Sequence, residues 1–136
     1  MKKIITIIVC SISFLVLSAC VSKKKLILPE PESISVISIQ NKLSDNVKTI
    51  TKREDISKLI KEIQKQSKST SLESVNDQPT NVKDYIIIKF YHQNEENDSV
   101  AYLYTKKEKQ YIEQPYVGIW QVSPDIANRI EEIFPS

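Results

Sequence analysis

The chain has 136 residues, enough for one domain of ordinary size, and 40% of them are apolar and 26% charged. It contains one glycine, Gly118, which excludes glycine-rich phosphate-binding loops and the G-x-S-x-G nucleophile motif because each needs at least two. One histidine and two cysteines exclude sites built on several histidines and cysteine-rich zinc clusters.

The N-terminal residues have the organisation of a secretory signal. Lys2 and Lys3 form a positive region, and the largely apolar residues 4–17 follow it. A segment of this length is shorter than the roughly 20 residues that span a bilayer. Its position and flanks are typical of a signal peptide over residues 1–19.

The apolar segment ends in Leu17-Ser18-Ala19-Cys20, which resembles the bacterial lipobox. This resemblance implies that Cys20 receives a diacylglyceryl thioether, becomes the first mature residue and anchors the chain to the extracytoplasmic face of the cell membrane. A plain signal peptide, or an uncleaved anchor with an incidental cysteine, is the alternative interpretation.

Cleavage would also change the charge balance. It would remove Lys2 and Lys3 and leave 17 basic against 17 acidic residues, so the formal net charge of +2 belongs to the leader. A nucleic-acid partner is disfavoured, because such binding depends on an excess of Lys and Arg. Cys20 would be the one cysteine left, so neither a disulfide nor thiol catalysis is expected, and no pattern indicates a cofactor or a metal site.

Beyond the anchor, the sequence predicts a flexible tether over residues 20–32 and one extracytoplasmic domain over 33–136. The prolines at positions 29 and 31 favour extended backbone in the tether. Alternating β-branched and aromatic residues predict strands at 33–39, 47–50, 85–91, 100–105, 110–114 and 116–122. Residues 67–80 are polar and are predicted to form a loop.

Two segments predict amphipathic helices. Thr51 and Glu54 have the spacing of a capping box, and Ser123-Pro124 is a typical helix start. The apolar stripes are Ile56, Leu59, Ile60 and Ile63 in the first helix and Ile126, Ile130, Ile133 and Phe134 in the second. The order ββ-α-β-β-β(-β)-α predicts an α+β fold, an antiparallel sheet of about five or six strands with both helices on one face.

Three polar segments are candidate functional sites. His92 with Glu95, Glu96 and Asp98 could bind a metal or act as a base, but the segment lies where a turn between strands is expected. Residues 73–79 (ESVNDQP) are either a recognition loop or a loop held by its own hydrogen bonds. Residues 113–120 (EQPYVGIW) are either a bulged strand in the core or an aromatic binding surface.

These last two segments resemble signatures of a family of small Gram-positive lipoproteins of unknown function. The resemblance implies a membrane-anchored extracytoplasmic domain and no particular activity. Both segments put proline beside aromatic strands, so we expect them to meet at one end of the sheet. The candidate binding or structural residues are Glu73, Asn76, Asp77, Pro79, Glu113, Gln114, Pro115, Tyr116, Gly118 and Trp120.

Two classes of function fit this sequence. The first is a non-catalytic binding or accessory module that holds a peptide, protein or envelope component near the membrane, or stabilises a membrane complex. The second is an enzyme acting on an envelope substrate, with Glu73 or Asp77 paired with Glu113, since paired carboxylates divide acid and base roles when their pKa values differ. The sequence leaves the ligand open.

Overall fold

A computed structural model describes residues 24–133. The predicted leader, Cys20 and Phe134 lie outside these residues. The strands are Ile34–Asn41 (β1), Val47–Ile50 (β2), Ser67–Ser69 (β3), Ile86–His92 (β4), Ser99–Lys106 (β5), Lys109–Gln114 (β6) and Gly118–Val122 (β7). The helices are Arg53–Lys65 (α1) and Pro124–Glu132 (α2), and a short 3-10 turn spans Pro31–Ser33.

All seven strands form one antiparallel sheet in the order β2-β1-β4-β5-β6-β7-β3. The predicted α+β class and antiparallel sheet are confirmed. The strand that sequence analysis missed is β3, which pairs with the edge of β7 through Ser67, Lys68 and Ser69. Three polar residues carry no alternating pattern, so this segment looked like part of the loop that follows it.

Both helices pack on one face of the sheet. The stripe residues that the structure describes pack in the same core as the inward residues of the strands, Ile133 only partly buried, and Ile60, Ile63 and Ile130 have no exposed surface. An ion pair between Glu62 of α1 and Arg129 of α2 joins the helices. Ser123 caps α2 as predicted, because its side chain accepts the Asp125 N–H.

Two predicted details are wrong. The residue preceding α1 is Lys52, and no side chain caps this helix, so the Thr51 capping box does not form. The segment that was predicted to be tether also packs on the domain. Leu26 and Leu28 lie in the main core and Pro31 is buried, so the folded domain includes residues 24–32.

The second face of the sheet is aromatic. Because side chains alternate along a strand, Ala101 and Leu103 enter the helix-side core while Tyr102 and Tyr104 face the other way. These tyrosines form a second buried cluster with Tyr85, and the loop between β3 and β4 supplies Val82 to it. The loop therefore covers the face that the helices leave free.

Neither helix in the described part of the chain, 24–133, has the length and hydropathy needed to cross a membrane.

Candidate functional site

The two signature segments meet at the end of the sheet where β6 turns into β7. Ser74 Oγ donates to Glu113 Oε1 at 2.6 Å, and the Tyr116 hydroxyl donates to Asp77 Oδ1 at 2.9 Å. The predicted proximity of residues 73–79 and 113–120 is thereby confirmed. These bonds tie the β3–β4 loop to strand β6 and to the turn that follows it.

Glu113 is the centre of this network. Its side chain is buried on the aromatic face, with 5% of the residue exposed. One carboxylate oxygen accepts the Ser74 hydroxyl, and the other accepts the Tyr104 hydroxyl at 3.0 Å. A buried carboxylate needs such donors because it has lost the hydrogen bonds of water. The arrangement satisfies both oxygens and joins loop, β5 and β6.

The tyrosines around Glu113 pack against one another. Tyr85 and Tyr102 meet edge to face with 5.3 Å between ring centroids, and Tyr104 lies 5.8 Å from Tyr111. The Tyr85 hydroxyl donates to Gln78 Oε1 at 2.6 Å, so the loop is bonded to this layer a second time. The aromatic face is therefore filled by side chains and loop.

The same surroundings raise the pKa values of two tyrosines. Burial raises the pKa of Tyr104 well above the ordinary value of 10.0, and the charge of Glu113 and its hydrogen bond add to this. Burial also raises the pKa of Tyr102, with the charges of Tyr85, Asp77 and Glu113 as smaller causes. Both phenols therefore stay neutral into the alkaline range.

Residues 114–117 form a tight turn, although a strand was predicted to begin at Tyr116. Val117 N–H donates to the Gln114 carbonyl at 3.0 Å, Pro115 is the second residue, and Tyr116 is the third with a φ of 61°. This matches a type II turn, whose third position usually holds glycine. A tyrosine there costs about 1–2 kcal/mol of backbone strain. The turn holds Tyr116 and Val117 outward, 66% and 48% exposed.

Of the two interpretations left open for residues 113–120, the core strand holds for Trp120. It is 2% exposed in the helix-side core, and its indole N–H donates to the Lys24 carbonyl at 2.9 Å. Gly118 lies against the same indole. A Cβ at position 118 would approach Trp120 Cη2 to 3.0 Å, so the glycine permits a close approach between backbone and ring.

The remaining signature residues differ in exposure. Glu73 and Asn76 are exposed, and Pro79 is buried. Asp77 accepts a hydrogen bond from Tyr116, a residue outside its own loop. The Gln114 amide donates to the Ile27 carbonyl at 3.0 Å, which attaches the N-terminal segment to the turn.

A cleft that sequence analysis missed lies at the opposite end of the sheet. It has a volume of about 870 Å³ and is formed by strand ends, residues 81–86 and the last turns of α2. Its polar lining includes Asn41, Asn81, Lys83, Asp84, Asn128, Glu131 and Glu132. These residues are far apart in the sequence and have no shared motif, so only the strand order could bring them together.

The His92 segment is a turn between β4 and β5. His92 Nε2 forms a hydrogen bond of 2.8 Å with Ser99 Oγ across the start of that hairpin. Within residues 24–133, no group of three His, Cys, Asp or Glu side chains is placed to hold a metal ion.

The fold and the buried network define an α+β domain with a helix-covered face and a loop-covered aromatic face. The chain belongs to the DUF5301 family, described as "Domain of unknown function (DUF5300)", whose model matches residues 22–121. The match includes both signature segments and ends before α2.

Among solved structures, the chain is similar to the NMR structure of a protein from Ruminococcus gnavus. The two are 26% identical with a TM-score of 0.61, and the alignment covers 76% of this chain and 99% of that one. A search of curated proteins found no match.

Replacing Tyr104 by Phe tests the buried network through its pH dependence. A phenol whose pKa is raised on folding contributes stability that is fully present below pH 10 and is lost as pH rises toward the folded-state pKa. The free energy of unfolding, measured in urea at about pH 8 and about pH 11, should therefore fall less in Tyr104→Phe than in the wild type. An equal fall in both proteins would contradict the burial of this hydroxyl beside Glu113.

Proposed function

We propose that this chain is a lipoprotein anchored through Cys20 on the extracytoplasmic face of the cell membrane, and that its domain is a non-catalytic binding or accessory module. The order of Lys2-Lys3, the apolar residues 4–17 and Leu17-Ser18-Ala19-Cys20 supports the anchor. The binding role is supported by one observation above the others, an open polar cleft at the end of the sheet remote from Lys24.

That separation suits a tethered receptor. Lys24 lies beside Trp120 and Val117 at the β6–β7 end, whereas the cleft is bordered by Asn41, Asn128 and their neighbours at the other end. A domain held by its N-terminus would thus present the cleft away from the bilayer. Its volume is within the range of about 300–1,000 Å³ that is common for small-ligand sites.

The lining favours a polar or basic ligand, such as a peptide segment. Asp84, Glu131 and Glu132 supply three carboxylates against the single ammonium of Lys83. Asparagine side chains at the rim can both donate and accept hydrogen bonds, which is the pattern of a peptide backbone.

The carboxylate-enzyme alternative has less support. It requires two carboxyl groups with different environments facing one substrate. Glu113 already accepts a hydrogen bond on each oxygen, Asp77 is bonded to Tyr116, and Glu73 is exposed. These contacts favour a structural role for the signature carboxylates.

Replacing Cys20 by Ser tests the anchor. The variant should carry no lipid by mass spectrometry and should leave the membrane fraction as an unprocessed precursor or a released form. Cys10→Ser is the matched control, because Cys10 lies in the leader and its loss should leave the mature protein unchanged. Detergent-soluble membrane association of Cys20→Ser at the wild-type apparent mass would contradict the proposal.

Photo-crosslinking in intact cells tests the cleft. Benzoyl-phenylalanine at position 128, on the exposed side of α2 that borders the cleft, should yield a discrete adduct. The same residue at position 94, in the exposed β4–β5 turn, should not. Glu131→Lys should weaken the adduct at position 128 because it reverses one charge of the lining. Equal labelling at positions 94 and 128, or no adduct at 128, would refute the cleft as the binding surface.

A further inference from the structure

Four exposed apolar side chains lie on three segments that hydrogen bonds join, the N-terminal segment, the β3–β4 loop and the β6–β7 turn. We call this the apolar corner, and its members are Ile27, Val75, Tyr116 and Val117, which are between 48% and 73% exposed. Exposed apolar groups that share one surface indicate an interaction site more often than isolated ones do.

Hydrogen bonds hold the three segments of the corner together. Gln114 Nε2 donates to the Ile27 carbonyl at 3.0 Å, and Lys24 Nζ donates to the Val117 carbonyl at 3.5 Å. The Tyr116–Asp77 bond attaches the loop that carries Val75. Side-chain hydrogen bonds therefore join the three segments, and the Trp120 indole holds the Lys24 carbonyl from the core side.

The position of the anchor brings this corner to the membrane. Cys20 precedes Lys24 by four residues, and a fully extended chain of that length reaches at most about 14 Å. Lys24 itself is bonded to Val117. A lipid on Cys20 would consequently hold Lys24 within this reach of the headgroups, and the β6–β7 turn about one lysine side chain further.

The chemistry of the corner suits the bilayer interface. Tyrosine is enriched at membrane–water boundaries because its ring is apolar and its hydroxyl is polar. Lys24 and Lys25 are exposed beside the corner and carry the charge that anionic headgroups attract. The left-handed backbone at Tyr116 holds its ring outward at this corner.

We propose that the apolar corner seats in the interfacial layer of the membrane that carries the lipid anchor, so that the domain stands on the β6–β7 turn with its cleft outward. The inference rests on the proposed lipidation of Cys20 and adds an orientation to it.

The acidic turn between β4 and β5 should determine how the domain tilts on the membrane. Glu95, Glu96 and Asp98 lie between β4 and β5 at the same end of the sheet, on the far side of β5 and β6. Anionic headgroups repel these carboxylates and attract the lysines. The domain should therefore lean toward its β7 edge and lift the acidic turn.

A fluorescent label at position 117 tests the orientation. The mature chain would have no free thiol, so Val117→Cys can be labelled alone with an environment-sensitive nitrobenzoxadiazole dye. The labelled, lipidated protein would be placed in phosphatidylcholine vesicles containing phosphatidylglycerol. Leu43→Cys is the matched control, since Leu43 is 73% exposed and lies in the β1–β2 turn at the opposite end.

The label at 117 should shift to the blue and be quenched several-fold more by doxyl-labelled lipid than the label at 43. Similar quenching at both positions, in protein whose lipid is verified by mass spectrometry and which floats with the vesicles, would overturn the orientation and leave the anchor intact. Absence of lipid and of flotation would overturn both proposals. A blue shift at 117 in native membranes but not in pure vesicles would instead assign the corner to a protein partner and refute the membrane contact.

Discussion

The buried carboxylate of Glu113 is the interaction on which the second face of this domain depends. The sheet needs cover on both sides, because the face opposite the helices carries Tyr102 and Tyr104, which are buried together with Tyr85. Helices cover one face, and the other is covered by a loop with no regular structure between residues 70 and 85. Ser74 and Tyr104 each donate to a different oxygen of Glu113, and the Ser74 bond fixes that loop to the strands. A buried acceptor of this kind is specific, since displacement of the loop would remove the Ser74 donor and leave one oxygen of a buried charge unsatisfied.

The fixed loop connects the two ends of the molecule. It begins beside β7, and its Asp77 accepts a hydrogen bond from Tyr116. Further along, Gln78 accepts the Tyr85 hydroxyl, and Lys83 and Asp84 at the end of the loop line the rim of the cleft. The exposed turn and the cleft are therefore attached to one structural element. The signature residues of this family thus build the scaffold, and the cleft proposed as the binding surface is lined by other residues.

Much of the fold could be predicted from residue patterns, since strong alternation and helical spacing report which side of an element is buried. The paired faces of β4 and β5 and both helical stripes follow from this. Strand β3 was not predictable, because a polar three-residue edge strand is defined only by the neighbour it pairs with. The turns were harder to predict than the strands, because Tyr116, Lys107 and Glu108 adopt positive φ angles without the glycine that normally marks such turns.

The candidate site was predictable in part. The proline that each signature segment places beside an aromatic strand indicated that the two segments meet, and they do. The pattern could not say which aromatic side chain of residues 113–120 faces solvent. Trp120 is buried because residues before the predicted domain, Leu26 and Leu28 among them, close that end of the core. No local sequence pattern indicated the cleft, because its lining comes from five separate parts of the chain.

The most direct test of this account is a double-mutant cycle between Ser74 and Glu113, with unfolding followed in urea. Ser74→Ala removes a hydrogen bond to a charged group and should cost about 1.5–3 kcal/mol in the wild-type background. In a Glu113→Leu background the same change should cost almost nothing, because the serine no longer has its acceptor, so the coupling should exceed about 1 kcal/mol. Pairing Ser74→Ala with Leu43→Ala, at the far end of the sheet, should give no coupling. A Ser74–Glu113 coupling within the roughly 0.3–0.5 kcal/mol expected of independent sites would contradict the claim that this bond holds the loop on the sheet.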